Sequence, residues 1–178
     1  MIKRFVGILV AGLLAAMLAS PEALAQTEDP ENKTGGDAET GERAEEGRHE
    51  AGLFVGITSE AAETGLSIGL AYEFRIDSRF GIGGVGEATG ADFREGILAA
   101  AFYWHPWQGE LKFIGAPGIV FKPKDKDAGF VFRLGGEYGI AFKPMWKIAP
   151  GLYIDFTSDD TAVVIGATIV RSFGPPGK

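Results

Sequence analysis

The run at residues 128–142 constrains the fold more than any other part of the chain. One alternate set reads Phe130, Phe132, Leu134, Gly136, Tyr138, Ile140 and Phe142. The other reads Gly129, Val131, Arg133, Gly135, Glu137, Gly139 and Ala141. Alternation puts the two sets on opposite faces of one strand. One face is apolar and aromatic. The other is small, with one cation and one anion. A soluble antiparallel sheet also alternates, but over shorter runs and with longer polar side chains on its wet face. A strand this long, with aromatics at both ends of its apolar face, suits a wall between lipid and a narrow polar lumen. The pattern points to a location and an architecture. It names no activity.

Seven other segments share the period, while helical periodicity is poor and glycine interrupts most apolar runs. They lie at residues 52–58, 64–76, 79–88, 94–105, 110–122, 146–156 and 161–173. With 128–142 they make eight strands, an even count that puts both ends of the chain on one side. A leader that must be exported makes that side the periplasm. The turns at 77–78, 106–108 and 143–145 are then periplasmic. The connections at 59–63, 89–93, 123–127 and 157–160 face outward. The aromatics follow this division. Phe74, Phe80, Phe102, Trp104, Phe142, Trp146 and Phe173 fall at the periplasmic strand ends, with Trp107 in a turn beside them. Phe121, Phe130, Phe132 and Phe156 fall toward the outer ends. Two aromatic girdles around an apolar band are what a membrane interface selects. The twelve steps from Phe130 to Phe142, tilted as barrel strands are, span roughly 30 Å, near the expected band.

Turn length predicts a register. Phe142 opposite Trp146 across a three-residue turn sets Phe132 against Phe156 and Leu134 against Ile154, all toward lipid. On the inner face Arg133 then meets Asp155, a buried ion pair. Glu73, Arg75, Glu87, Lys112, Glu137 and Lys147 join them as inward-pointing charges. An eight-stranded barrel is only just wide enough for its own side chains, so a salt-bridged plug is favoured over a proton or ion path.

The ends carry different information. Lys3 and Arg4 precede an uncharged apolar run, and Ala23-Leu24-Ala25 forms an A-x-A cleavage site. Residues 1–25 read as a signal peptide, too short in its apolar run for a membrane helix. Residues 26–50 hold nine acids against three bases, and His49 is their only aromatic. A segment without large apolar residues cannot offset its ordering entropy, so it reads as a disordered acidic leader. From residue 51 onward there are 14 acids and 12 bases. No clustered positive charge is available for nucleic acid. The chain has no cysteine, so disulfides cannot hold an exported domain. A closed hydrogen-bonded ladder in lipid would serve instead.

In strand number, alternation and girdles, residues 51–173 resemble the small eight-stranded outer-membrane barrels of the OmpA transmembrane-domain and OmpX type. The resemblance implies an all-β, antiparallel up-and-down transmembrane barrel in the cell envelope of a Gram-negative bacterium. It implies outer-membrane lipid and the barrel-insertion machinery as partners. Such barrels usually end on an aromatic residue that the machinery reads. Here Phe173 closes the last strand, but a tail at 174–178 follows.

Motifs with chemical readings are few. Gly81-Ile82-Gly83-Gly84-Val85-Gly86 matches G-x-G-x-x-G. A dinucleotide site needs that motif between a parallel strand and a helix. Here it follows a hairpin turn, and small residues leave room for neighbours such as Glu73 and Arg75. His105 reads as the only histidine of the barrel, beside Pro106 at a periplasmic turn. The hydroxyls and carboxylates of Thr157, Ser158, Asp159 and Asp160 lie at the other end, beyond reach of a base. Asp125, Asp127, Asp159 and Asp160 offer no ligand set for a defined calcium site, and read as solvated loop charge. Asn32-Lys33-Thr34 is a glycosylation sequon by letter only. The reading is therefore an integral barrel with a filled lumen and a structural or surface role. It assigns no catalytic, cofactor-binding or metal-binding residue. The alternative is a soluble periplasmic barrel binding an apolar ligand, as lipocalins do. That fold would invert the faces, with Phe130, Phe132 and Tyr138 inside and Arg133 and Glu137 in water.

Overall fold

The computed structural model describes residues 47–61, 63–90, 95–107, 110–122, 127–158 and 160–176. The signal peptide, the leader up to residue 46, and residues 91–94 and 123–126 of the outward connections lie outside them, Asp125 among these, as does Asp159. The described chain is all strand and turn. Its strands are β1 (Gly47–Glu60), β2 (Glu63–Arg75), β3 (Phe80–Thr89), β4 (Glu95–Trp104), β5 (Leu111–Lys122), β6 (Asp127–Tyr138), β7 (Ile140–Lys143), β8 (Trp146–Thr157) and β9 (Thr161–Pro176).

Each strand pairs antiparallel with its sequence neighbour, except that β6 and β7 both pair with β8. β6 and β7 are one wall interrupted at Gly139, so the walls number eight. β1 pairs with β9, which closes the ring. Closure leaves no strand edge, the condition for a sheet in hydrocarbon. Two prolines mark the weak points of the ladder. Pro117 falls in the gap between the Ala99–Gly118 and Phe102–Gly115 pairs of β4 and β5. Pro150 adjoins the break at Gly139, between the Glu137–Gly151 and Ile140–Ile148 pairs. A proline has no N–H to donate to a ladder.

The anticipated register holds through β6 and β8. Phe132 pairs with Phe156, Arg133 with Asp155, and Leu134 with Ile154. It slips at the turn, where Lys143, not Phe142, pairs with Trp146. Met145 closes that turn in the left-handed region (φ 64°). The turn between β2 and β3 is fixed by the Asp77 carboxylate. Its Oδ1 accepts from the backbone N–H of Arg79 (2.7 Å) and Phe80 (2.8 Å).

The barrel is longer than anticipated at both termini. β1 begins at Gly47, so residues 47–50 belong to the wall and not to the leader. β9 does not close at Phe173 but runs to Pro176. His49, assigned to the leader by its acidic surroundings, pairs with both Phe74 and Phe173. His105 is thus not the barrel's only histidine.

The faces segregate as alternation requires. Phe130 is 62% exposed and Phe142 60%, while Arg133 and Glu137 keep 3% and 4%. The soluble ligand-binding alternative demands the reverse and is ruled out. Large rings pack inside the barrel where glycines leave room. The Phe54 ring fills the space that a side chain at Gly56 or Gly166 would need, and Tyr153 does the same at Gly135 and Gly151. The two rings meet edge to face, with centroids 5.7 Å apart.

Candidate functional site: an ion-paired lumen

Every inward charge named from the sequence reaches the lumen. They divide into two groups by height. The end where β1 begins, β9 ends and the short turns lie is called the turn end; the opposite end is the loop end.

The upper group is a triad on β3, β6 and β8. Arg133 donates from Nε to Asp155 Oδ1 (2.6 Å) and from Nη2 to Asp155 Oδ2 (2.7 Å). Its Nη1 donates to Glu87 Oε2 (2.6 Å). The fork-to-fork geometry on Asp155 suits a planar guanidinium and no other side chain. All three residues are buried. Toward the loop end, hydroxyls continue the network. Ser67 Oγ lies 2.5 Å from Thr58 Oγ1 and 2.8 Å from Thr89 Oγ1. Thr58 Oγ1 donates to Glu87 Oε1 at 3.5 Å. Sequence reasoning missed this chain because uncharged hydroxyls raise no alarm in an alternating strand.

The lower group gathers at the turn end around one cation. Lys112 Nζ lies 3.1 Å from Glu137 Oε2, 3.3 Å from Glu73 Oε2 and 3.8 Å from Glu50 Oε2. Lys147 Nζ donates to Glu50 Oε1 (2.7 Å), and Arg75 Nη2 approaches the same oxygen (3.1 Å). His105 Nε2 is 2.7 Å from Glu73 Oε1. Tyr153 donates a very short hydrogen bond to Glu137 Oε1, and Thr168 donates to the same atom at 3.2 Å. Three carboxylates thus share three cations. The pairing is incomplete: Glu50 Oε2, Glu137 Oε2 and His105 Nδ1 are buried without a well-aligned hydrogen bond.

Glu50 and His105 were not assigned to this set from sequence. Glu50 was hidden by the acidic run before it. The signal was present nevertheless, since it shares parity with Phe54 and Thr58 on the inner face of β1. His105 was placed at its turn, and there it sits, its backbone N–H bonded to Arg79 O (2.7 Å). Its ring turns inward onto Glu73. Thr157 and Asp160 cap the hairpin at the opposite end. No hydroxyl that could serve as a nucleophile is shown bonded to His105 among the described residues. The glycine motif lies in β3, between two antiparallel partners. A side chain at Gly81 would run into the Glu73 carboxylate, so the motif makes room for the lower group.

Between the groups lies a cavity of about 20 Å³, lined by Tyr103, Tyr153, Glu87, Arg133, Glu137 and Thr168 among others. That is room for about one water molecule. Lys112 sits over the Tyr103 ring at 4.9 Å and Arg133 over the Tyr153 ring at 5.3 Å. Cations stacked on aromatic faces close the bore from both sides.

No family model matches the sequence, and no curated protein is similar to it in sequence. Solved structures are similar in fold. The N-terminal β-barrel domain of Pseudomonas aeruginosa OprF superposes at a TM-score of 0.52. The match is 8% identical and covers 72% of this chain and 99% of that domain. The chain has the fold of the small eight-stranded outer-membrane barrels. Ail of Yersinia pestis is 11% identical over 70% of this chain and 96% of its own, at a TM-score of 0.49. Neisserial surface protein A is 13% identical over 70% of this chain and 96% of its own, at 0.46. At these identities the likeness is one of architecture.

Proposed function

We propose that this protein is an integral outer-membrane barrel with a sealed lumen, serving a structural or surface role and neither a pore nor an enzyme. The observation that carries the reading is Arg133, held by three hydrogen bonds of 2.6–2.7 Å to two carboxylates in the bore. Ions passing there would have to break a buried pair, at a cost of several kcal/mol. Both termini and the acidic leader lie in the periplasm, and the loop end faces outward. The even number of walls and the export signal support that orientation.

The absence of cysteine makes orientation easy to test. Ser158→Cys at the loop end should react with a membrane-impermeant maleimide on intact cells. Asp77→Cys at the turn end should react only after the outer membrane is opened. The reverse pattern would overturn the orientation. Recovery of the protein in the soluble fraction without detergent would overturn the membrane reading altogether.

A further inference from the structure

A proton travels along hydrogen bonds and needs no open space, so a bore sealed against hydrated ions can still pass protons. The two groups of the lumen, taken together, form a chain of exchangeable protons over nearly its whole height. The chain starts at His105, just past Trp104 at the turn end of β4. It finishes at Thr89, which pairs with Glu95 at the loop end of the same strand.

In the lower half, His105 Nε2 is 2.7 Å from Glu73 Oε1. Lys112 Nζ then bridges Glu73 Oε2 (3.3 Å) and Glu137 Oε2 (3.1 Å). In the upper half, Glu87 Oε1 is 3.5 Å from Thr58 Oγ1, the longest direct link. Ser67 Oγ continues from Thr58 (2.5 Å) to Thr89 (2.8 Å). The gap between the halves is the cavity. Glu137 and Glu87 both line it, and its volume of about 20 Å³ admits one water. One intervening water is within the reach of an acid and its base. Glu87 meets the hydroxyl chain with Oε1 and Arg133 with Oε2. A proton can therefore pass the triad while the Arg133 ion pairs stay closed. The triad sets two carboxylates against one guanidinium, so its side of the cavity favours a positive guest. The start of the chain is distinctive as well. An ionised carboxylate only accepts, so in the neutral ring Nε2 carries the proton toward Glu73. His105 Nδ1 is then a bare acceptor, buried with no hydrogen-bond partner. An imidazole that merely braces its neighbours gains from bonds at both nitrogens, whereas a relay needs one nitrogen free.

We infer that the lumen is a proton path, running from His105 through Glu73, Lys112, Glu137, one water and Glu87 to the hydroxyls of the loop end. A proton from the turn end adds to His105 Nδ1, and Nε2 passes its own proton to Glu73. The Lys112 ammonium gives a proton to Glu137 and takes one from Glu73. Glu137 gives its proton to the cavity water as that water gives one to Glu87. Glu87 protonates Thr58, and each hydroxyl passes a proton onward until Thr89 releases one at the loop end. One proton enters and one leaves, and no group keeps a changed charge. The hydroxyls and the imidazole then reorient for the next passage. Hops of this kind carry a slow flux and not the current of an aqueous bore. The path rests on the membrane reading above and adds the species that a sealed lumen still admits.

Proton flux into vesicles tests the path. The purified barrel is refolded into phosphatidylcholine vesicles that hold a pH-sensitive dye, and insertion is verified by flotation. Valinomycin with potassium on both sides cancels the membrane potential. After a step in external pH, the interior should equilibrate faster than in protein-free vesicles, while entrapped sodium leaks no faster. Thr58→Val puts a methyl group where the linking hydroxyl stood and should return the proton rate to the protein-free value. Thr58→Ser keeps the hydroxyl and should keep the flux. His105→Gln should abolish it from the other end of the chain. A parent rate equal to that of protein-free vesicles would overturn the path and leave the membrane reading intact. So would an excess rate that survives Thr58→Val. Sodium leaking together with protons would overturn the sealed lumen and the path at once. A folded barrel that does not float with the vesicles would overturn the membrane reading and the path with it.

Discussion

The two halves of the lumen solve the same problem differently. The upper triad gives one guanidinium two carboxylates and aligns three of its N–H donors on them. The lower group gives three carboxylates to one central ammonium, with Arg75, Lys147 and His105 at the margins. The first is a closed set with defined partners. The second is shared, and leaves buried atoms without aligned bonds. Arginine's planar fork specifies geometry, whereas lysine acts as a point charge among neighbours. The triad should therefore be stiff and brittle, and the lower group tolerant.

Substitutions can break that contrast. The largest effect is expected at Arg133→Met, which strands Glu87 and Asp155 as buried charges. It should lower the unfolding free energy by about 3–5 kcal/mol, measured by urea titration of the reconstituted barrel. Adding Glu87→Leu and Asp155→Leu should recover most of that loss, because apolar replacement of a whole buried ion group is often neutral. Lys112→Met should cost less, about 2 kcal/mol. Glu50 keeps Lys147 and Arg75, Glu73 keeps His105, and Glu137 keeps Tyr153 and Thr168. A Lys112 variant weaker than the Arg133 variant would invert the comparison. Tyr153→Phe removes a donor to Glu137 and should cost about 1.5 kcal/mol, with a smaller loss if Thr168 compensates. Met145→Gly touches neither group. It relieves the left-handed backbone at φ 64° and should raise stability by about 0.5 kcal/mol, which sets the scale for the rest.

Most of this architecture was legible in the sequence, for a physical reason. A lipid-facing wall has two solvents, and each residue must choose one. The choice writes a period of two that turn signals then cut into strands. Phe130, Phe132 and Leu134 against Arg133 and Glu137 gave the faces of β6 directly. One turn length then gave the Arg133–Asp155 pair. What escaped was whatever the period does not encode. Glu50 and His49 follow an acidic run, and composition outweighed alternation there. The slip that sets Lys143 against Trp146 falls between Ala141 and Lys143, beside a turn closed by a left-handed Met145 where glycine would have announced the turn. The hydroxyl chain of Thr58, Ser67 and Thr89 depends on three strands meeting, which no single strand reveals.

Planar-bilayer recording tests the sealed lumen most directly. The purified barrel, inserted and verified by its shift in electrophoretic mobility, should give no steady single-channel currents. The triple variant of Arg133, Glu87 and Asp155 should stay silent as well, since apolar side chains fill the same space. Large, steady currents from the unmodified protein would contradict the account.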